Sequence, residues 1–388
     1  MSRVLTILAS ALAAVLVAAL VPLGAAVPAG ATAATAAPAA ADDFQCAPGP
    51  YVLRPEAFFG DPGSRYGDIS CVILRAINGA PKGSLIQGVT WSFDSVTIAR
   101  ALAAADNRGV RVKMLVAKQA EPGIRKYLRA QLNGKGSKLV VSNGAARGNP
   151  ALGKGAMHQK SWTFSSTYGK RFVSIFTSAN ATTAASDWQY NDGYQFVGYR
   201  PVHRTLKRVF AQQVKRRDQR APFIQENLTP NTALTFNPWN SPSMADPVVG
   251  RINGLPQDRL VIRIANASWS GDRGLAIARA LVAKKRAGAK VRVVVGGIGP
   301  QVKGVLVRGG IPVKLLKRSD QDYLHSKSMI ARYGTGSTKK ARLWTGSENW
   351  GDAPRAADEV VVKVSNAAAV TAWQGYFDHL WSLGTRLR

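Results

Sequence analysis

Acidic residues, cysteine and histidine are scarce in this sequence. It has 22 Asp plus Glu against 52 Lys plus Arg, with four His and two Cys in 388 residues. So few and so scattered His and Cys exclude a zinc finger or zinc ribbon. After the first residues no apolar stretch is long enough to cross a bilayer, which excludes a polytopic membrane protein. The composition of the whole sequence, 46% hydrophobic and 19% charged, is typical of a globular chain.

The first residues predict a secretory signal peptide. Arg3 precedes an apolar run from Val4 to Val21, which is followed by proline and an Ala-rich tract with repeated Ala-x-Ala sites. A basic N-terminal region, an apolar segment and a cleavage region of small residues are typical of a signal peptide that is removed. An uncleaved anchor is the alternative, since the run is about long enough to span a membrane. We expect residues 1–41 to be removed and the mature protein to be secreted.

The two cysteines, Cys46 and Cys71, lie 25 residues apart in the expected mature chain. In an oxidising compartment such a pair is expected to form a disulfide. We predict a structural bond that closes the N-terminal loop, without a redox role.

The formal net charge of +30 predicts anionic partners. Nucleic acid, anionic lipid surfaces and phosphate-bearing wall polymers all fit this field. The alternative is that the charge serves solubility alone. The charge therefore indicates the sign of the partner and not its identity.

The chain contains an internal repeat. The segment 77–81 (INGAP) returns as 252–256 (INGLP), and 98–102 (IARAL) returns as 277–281. Each copy has the pattern of an apolar strand, an Ala-rich helix ending at glycine and a second strand, which predicts a βαβ unit. The segment from Arg216 to about Asp246, rich in Pro, Asn and Ser, is interpreted as the connection. The sequence thus predicts two fused α/β halves.

Each half carries a short polar signature at a matching position. His158-Gln159-Lys160 is followed by Ser178-Ala179-Asn180, and His325-Ser326-Lys327 is followed by Ser347-Glu348-Asn349. Each His-x-Lys precedes a β-like run, in which side chains two apart share a face. An imidazole can act as nucleophile or general acid near neutral pH, and ammonium, hydroxyl and amide donors can neutralise phosphate oxygens. The pattern therefore favours phosphodiester transfer without a metal or other cofactor.

These paired motifs resemble those of the phospholipase D superfamily. The resemblance covers nearly all of the expected mature chain. It implies a phospholipase D-like α/β fold of two duplicated α/β/α halves, here 42–220 and 221–388, which share one active site at a pseudo-two-fold interface. It also implies a covalent phosphohistidine intermediate, with His158 as nucleophile and His325 as general acid and base, although the order of the two stays open.

The same resemblance implies the remaining site residues. Phosphate would be bound by Lys160, Lys327, Asn180 and Asn349, with Ser178 and Ser347 in support. In the family a carboxylate after Ser-x-Asn orients a catalytic histidine. Here the expected carboxylates are Asp192 and Glu359, with Asp358 as an alternate.

The sequence departs from the family pattern at three positions. Ser165 and Arg332 replace the motif Asp five residues after each Lys, and Thr177 replaces the Gly before the first Ser-x-Asn. The first two changes weaken assignment to the ordinary lipase branch. We expect a monomeric enzyme that cleaves or transfers phospholipid headgroups. The alternatives are a nuclease or nucleic-acid phosphodiesterase, and a catalytically decayed protein that binds polyanions or cell wall.

Overall fold

The computed structural model describes residues 44–46, 51–62 and 69–388. The predicted signal peptide, residues 1–41, lies outside the described residues. Within these ranges no helix combines the length and apolar character needed to cross a membrane.

The described residues form two sheets of nine strands each. In the first sheet the order is β13-β14-β7-β6-β5-β2-β3-β4, and β1 also pairs with β7. Its strands are β1 (Glu56–Gly60), β2 (Leu85–Thr90), β3 (Arg111–Ala117), β4 (Lys138–Ser142), β5 (Ser161–Thr167), β6 (Lys170–Thr177), β7 (Gln189–Phe196), β13 (Lys317–Ser319) and β14 (Asp322–Leu324). The short β13–β14 hairpin belongs to the later part of the chain, so the first sheet is completed by residues of the second half.

The second sheet has the order β18-β12-β11-β10-β15-β16-β17-β9-β8. Its strands are β8 (Ile224–Thr229), β9 (Thr232–Asn237), β10 (Val261–Asn266), β11 (Lys290–Val295), β12 (Val313–Leu315), β15 (Lys327–Tyr333), β16 (Lys340–Gly346), β17 (Glu359–Val364) and β18 (Thr385–Arg386). The α-helices of the described chain are α1 (Ile69–Asn78), α2 (Val96–Asn107), α3 (Pro122–Gln131), α4 (Thr183–Asp187), α5 (Arg200–Gln213), α6 (Pro247–Asn253), α7 (Gly271–Arg286), α8 (Pro300–Arg308) and α9 (Ala367–Leu383).

The repeated βαβ unit is present in both sheets. Strands β2 and β3 are parallel and joined through α2, and β10 and β11 are parallel and joined through α7. Shortly after each helix a glycine takes left-handed backbone angles, at Gly109 (φ 84°) and Gly288 (φ 102°), where a side chain would be strained. Strand β5 then runs antiparallel to β2, and β15 antiparallel to β10. The predicted duplicated α/β fold is confirmed.

The segment interpreted as a connection, from Arg216 to about Asp246, is only partly a connection. It contains the antiparallel hairpin β8–β9, and β9 pairs with β17 at the edge of the second sheet. The interpretation was wrong here because turn-forming residues flank two short strands, and their pairing partner β17 lies more than a hundred residues further along the chain.

A large apolar core lies between the two sheets. It joins buried side chains of the first sheet, such as Phe176 and Tyr194, to those of the second, such as Phe236 and Val362, and to Trp373 of α9. Separate apolar clusters pack α1–α3 on the first sheet and α6–α8 on the second. The shared core fixes the position of one sheet against the other, and therefore of the motifs that each sheet carries.

The predicted disulfide between Cys46 and Cys71 is confirmed, with Cα atoms 5.5 Å apart. Cys71 is buried in the first turn of α1, so the bond attaches the N-terminal segment to the first half. There are no free cysteines in the described chain.

Replacing both cysteines, Cys46→Ser with Cys71→Ser, is expected to lower the free energy of unfolding by about 3 kcal/mol, because the unfolded chain gains the entropy of an open loop of about 25 residues. Denaturant unfolding of the variant and the wild type, each with and without reductant, checks this. Equal stability in all oxidised and reduced samples would show that the bond contributes nothing.

Candidate active site

Both His-x-Lys motifs lie at the starts of central strands that follow the βαβ units. Lys160 immediately precedes β5, and Lys327 is the first residue of β15. Each lysine turns back on its own motif, since Lys160 Nζ donates to His158 O at 2.7 Å and Lys327 Nζ donates to His325 O at 2.6 Å. The two motifs thus have the same local geometry.

The two lysines are buried, at 0% and 4% exposure, beside few acidic groups. Burial lowers the pKa of Lys160 well below its usual range and lowers the pKa of Lys327 to about 7, while the nearby Glu359 acts in the opposite direction on both. The charge of Lys327 contributes to lowering the pKa of Lys160, so the motifs of the two halves share one cluster. Burial disfavours the charged form of both lysines, and an anion bound beside them would stabilise that form, so the cluster is suited to bind an anion.

His158 is held by a carboxylate of the other half. Its Nδ1 lies 2.7 Å from Glu359 Oε1, and Ser347 Oγ donates to Glu359 Oε2. A carboxylate only accepts hydrogen bonds, so Nδ1 carries the proton and the Nε2 lone pair is left available. Burial lowers the pKa of His158, with Glu359 opposing the shift. Glu359 thus occupies the orienting position that the resemblance implies.

His325 is held by an amide of the first half. Its Nδ1 lies 3.0 Å from Asn191 Oδ1. Asn191 Nδ2 donates to Ala185 O at 3.3 Å, and Ser178 Oγ donates to Asn191 Oδ1 at 2.8 Å, so the amide oxygen faces the ring. Burial, together with the charges of Lys327 and Lys160, lowers the pKa of His325 well below its usual range.

Asp192 was expected to hold a histidine ring and does not. Its Oδ1 accepts from Lys327 N at 3.0 Å, and its Oδ2 accepts from Thr345 Oγ1. Successive side chains of β7 point to opposite faces, so only one of Asn191 and Asp192 can face His325. The expectation was one residue off along the strand.

Backbone hydrogen bonds show why Asn191 was missed. Ser178 N donates to Asp192 O, and Ser347 N donates to Val360 O, each at 2.9 Å. The residue before each acceptor is therefore equivalent in the two halves, which matches Asn191 with Glu359. The interval after Ser-x-Asn is one residue longer in the first half, so a search for carboxylates at similar spacing selects Asp192.

The serines of the two Ser-x-Asn motifs are fully buried and contact the orienting groups. Ser178 Oγ donates to Asn191, and Ser347 Oγ donates to Glu359, so both serines help to position the groups that hold the histidines. The support for phosphate binding that the resemblance implies for them stays a prediction. Asn180 Oδ1 accepts from Ser92 N at 3.3 Å. Asn349 lines the cavity beside His158, and its Oδ1 is buried without a hydrogen-bond partner among the described residues.

Asp358, the alternate carboxylate, has a different role. It forms a fully buried ion pair with Arg147 at 3.3 Å and accepts from Ala146 N, while its own carbonyl accepts from His158 N at 3.0 Å. Arg147 in turn donates to Asn237 O at 2.6 Å. This network, which sequence reasoning missed, ties the loop before His158 to the strand that carries Glu359.

A cavity of about 710 Å³ opens beside His158 and Glu359. The ring of Trp91 lies edge-on to the imidazole of His158, with centroids 5.6 Å apart. Further walls combine small apolar residues with two cations: Leu152, Lys154, Pro242, Pro354, Arg355 and Ala356. Within the described ranges no group of three or more His, Cys, Asp or Glu side chains is arranged to hold a metal ion.

Solved structures of similar fold come from several proteins. Phosphatidylserine synthase of Haemophilus influenzae Rd KW20 aligns with a TM-score of 0.59 at 13% identity, over 86% of this chain and 87% of that one. Polyphosphate kinase of Porphyromonas gingivalis aligns with a TM-score of 0.57 at 15% identity, over 84% of this chain. The chain spans about half the length of that kinase, 46%. At these identities the likeness shows the fold alone.

A search of curated proteins finds no match. The sequence model of the family described as "Cardiolipin synthase, PLD-like domain" matches residues 73–213 and 260–381, which is more than half of the chain and includes both His-x-Lys motifs. The chain therefore belongs to the phospholipase D superfamily, whose members act on phosphodiesters.

Proposed function

We propose that this protein is a secreted, monomeric phosphodiesterase that hydrolyses phospholipid headgroup esters, or transfers them to an alcohol, through a phosphohistidine and without a metal. The observation that carries the proposal is the unequal support of the two histidines, a carboxylate at His158 and an amide at His325. The leader pattern and the disulfide support secretion.

The carboxylate makes His158 the better nucleophile. Glu359 accepts a hydrogen bond from Nδ1–H, raises the electron density at Nε2 and balances the positive charge that develops on the ring as a nitrogen–phosphorus bond forms. Asn191 offers no such charge to His325. This difference supports the order of roles that the sequence left open.

The environment of His325 suits a general acid. Two ammonium groups and a neutral amide make its imidazolium a strong acid, and the negative charge of a bound phosphodiester would favour its protonated form. As His158 Nε2 bonds to phosphorus, the bond to the leaving oxygen breaks and that oxygen takes the proton of His325. Water then gives a proton to His325 and attacks phosphorus, and the bond to His158 breaks.

The two lysines and two asparagines are proposed to hold the phosphate oxygens. Lys160 and Lys327 are already buried and oriented, so little reorganisation is needed when charge accumulates in the transition state. Asn349 lines the cavity beside His158, and its Nδ2 is the amide donor proposed to bind a phosphate oxygen there.

A phospholipid is favoured by the walls of the cavity. Leu152, Pro242 and Pro354 offer apolar contact for a glycerol ester, while Lys154 and Arg355 offer cations for a charged headgroup. A nucleic acid is the second candidate, since Trp91 lies beside the reacting histidine and could stack a base. The exposed cations of α5, among them Arg204 and Lys207, would attract an anionic lipid surface if the substrate is a phospholipid and a polyanion if it is a nucleic acid.

The mature protein is expected to release a free headgroup and phosphatidic acid from mixed phospholipid vesicles in excess EDTA, and to lose this activity in His158→Ala and in His325→Ala. Product analysis in parallel with single- and double-stranded DNA is the measurement. If the DNA is cleaved and the lipid stays intact, the substrate is nucleic acid and not phospholipid. Loss of turnover in EDTA that added metal restores would contradict the mechanism, and unchanged function in both variants would indicate a binding protein.

The proposed order of the histidines predicts a difference in leaving-group dependence. The leaving group of a p-nitrophenyl phosphodiester needs no proton. With this substrate the rate loss of His325→Ala relative to the wild type is expected to be about 10²-fold smaller than with a substrate that has an alkyl leaving group. His158→Ala is expected to be inactive with both. Steady-state rates with the two substrates test this, and the reverse pattern would exchange the roles.

Asn191→Asp is expected to raise the pKa of His325, because an anion replaces a neutral amide next to Nδ1. A general acid works only while protonated, so the alkaline limb of the rate profile is expected to move to higher pH by about one unit or more. The pH dependence of kcat gives the answer. Asp192→Asn, one residue away, is the matched control: Asp192 contacts Lys327 N and not the His325 ring, and its charge raises the pKa of Lys327, so its loss is expected not to move that limb to higher pH.

A further inference from the structure

A second cavity of about 710 Å³ lies in the second half, at the far end of β15 from the catalytic motif. Lys327 begins this strand, while Arg332 and Tyr333 end it and line the cavity. Arg332 comes five residues after Lys327 in the extended strand, which corresponds to roughly 17 Å at about 3.3 Å per residue. The cavity is therefore distinct from the one beside His158.

The wall of this cavity is strongly cationic. Five of its thirteen lining residues are Lys or Arg and none is acidic: Arg259, Arg332, Lys339, Lys340 and Arg342. In the whole chain 52 of 388 residues are Lys or Arg, so the cavity is far richer in cations than the protein as a whole. Such a concave group of like charges attracts multiply charged anions.

Two buried hydroxyls in the wall have no hydrogen-bond partner among the described residues. Tyr333 is 7% exposed, and its hydroxyl is one of them; Ser365 Oγ is the other. Buried polar groups are nearly always hydrogen-bonded, so these two hydroxyls lack a partner that the described residues could supply. The guanidinium of Arg342 lies over the ring of Tyr333, 5.2 Å from its centroid, which holds that side chain in place.

The cavity also borders the positive end of a long helix. Ala367, the first residue of α9, lines it, and so does Thr371 one turn later. The dipole of a 17-residue helix favours a negative charge at this end. Arg332 Nη2 donates to Thr371 Oγ1 at 3.1 Å, so the guanidinium is fixed beside the helix start.

We propose that this cavity is a second anion site, which binds a small, multiply charged phosphate compound through its five cations and the two unpartnered hydroxyls. Its size is that of a small-molecule pocket. A free phosphate compound and the headgroup of a lipid share the phosphate that the site recognises, and the experiment distinguishes these two sources. The inference does not depend on the catalytic activity proposed above.

The test is isothermal titration calorimetry of the full mature chain with inorganic pyrophosphate and, separately, with short-chain phosphatidic acid below its micelle concentration. Lys339→Ala with Lys340→Ala removes two exposed charges of the cavity. The matched control, Lys126→Ala with Arg129→Ala, removes two exposed charges from α3. Pyrophosphate is expected to bind at least about tenfold more weakly to the cavity variant and unchanged to the control.

Tyr333→Phe keeps the ring and removes one orphan hydroxyl, and it is expected to weaken binding about fivefold. The temperature of thermal unfolding serves as a folding check and is expected to be unchanged in the lysine variants. Binding of either ligand, lost in the cavity variant, supports the proposal, and the ligand that binds identifies the source. Equal loss in the control, or no effect of the cavity variant and Tyr333→Phe, would overturn it.

Discussion

The candidate site depends on a reciprocal exchange of hydrogen bonds between the halves. Glu359 of the second half holds His158 of the first, and Asn191 of the first half holds His325 of the second. Neither half contains a complete site, because each lacks the group that fixes its own imidazole. The apolar core between the sheets must therefore form before either histidine has a defined tautomer and orientation.

The duplication is symmetric in backbone and asymmetric in charge. Equivalent amides and carbonyls bond in both halves, and equivalent lysines turn back on equivalent histidines. Only the side chain next to each imidazole differs, a carboxylate in one case and an amide in the other. Two identical histidines would compete for one role. Unequal partners separate the proton affinities of the two rings, as the proposed division between a nucleophile and a proton donor requires.

Buried carboxylates hold several backbone segments around the site in place. Asp358 and Arg147 form a fully buried ion pair that fixes the loop before His158. Asp192 bonds to Lys327 at the start of β15 and to Thr345 near the end of β16, and so joins these two strands. Removing one partner of such a pair leaves an uncompensated buried charge, which is strongly destabilising. The carboxylates nearest the site are thus divided between holding the backbone and holding an imidazole.

The sequence alone determined the repeat, the βαβ order, the paired His-x-Lys motifs and the disulfide, because periodicity, spacing and residue chemistry are local properties. Tertiary structure decided the orienting partner of His325, the burial of Ser178 and Ser347, and the pairing of β8–β9 with β17. Strand alternation makes a one-residue offset reverse the face of a side chain, and the interval from Asn180 to Asn191, one residue longer than that from Asn349 to Glu359, hides that offset. Contacts between distant segments, and the pKa shifts that burial causes, exist only once the two sheets have packed together.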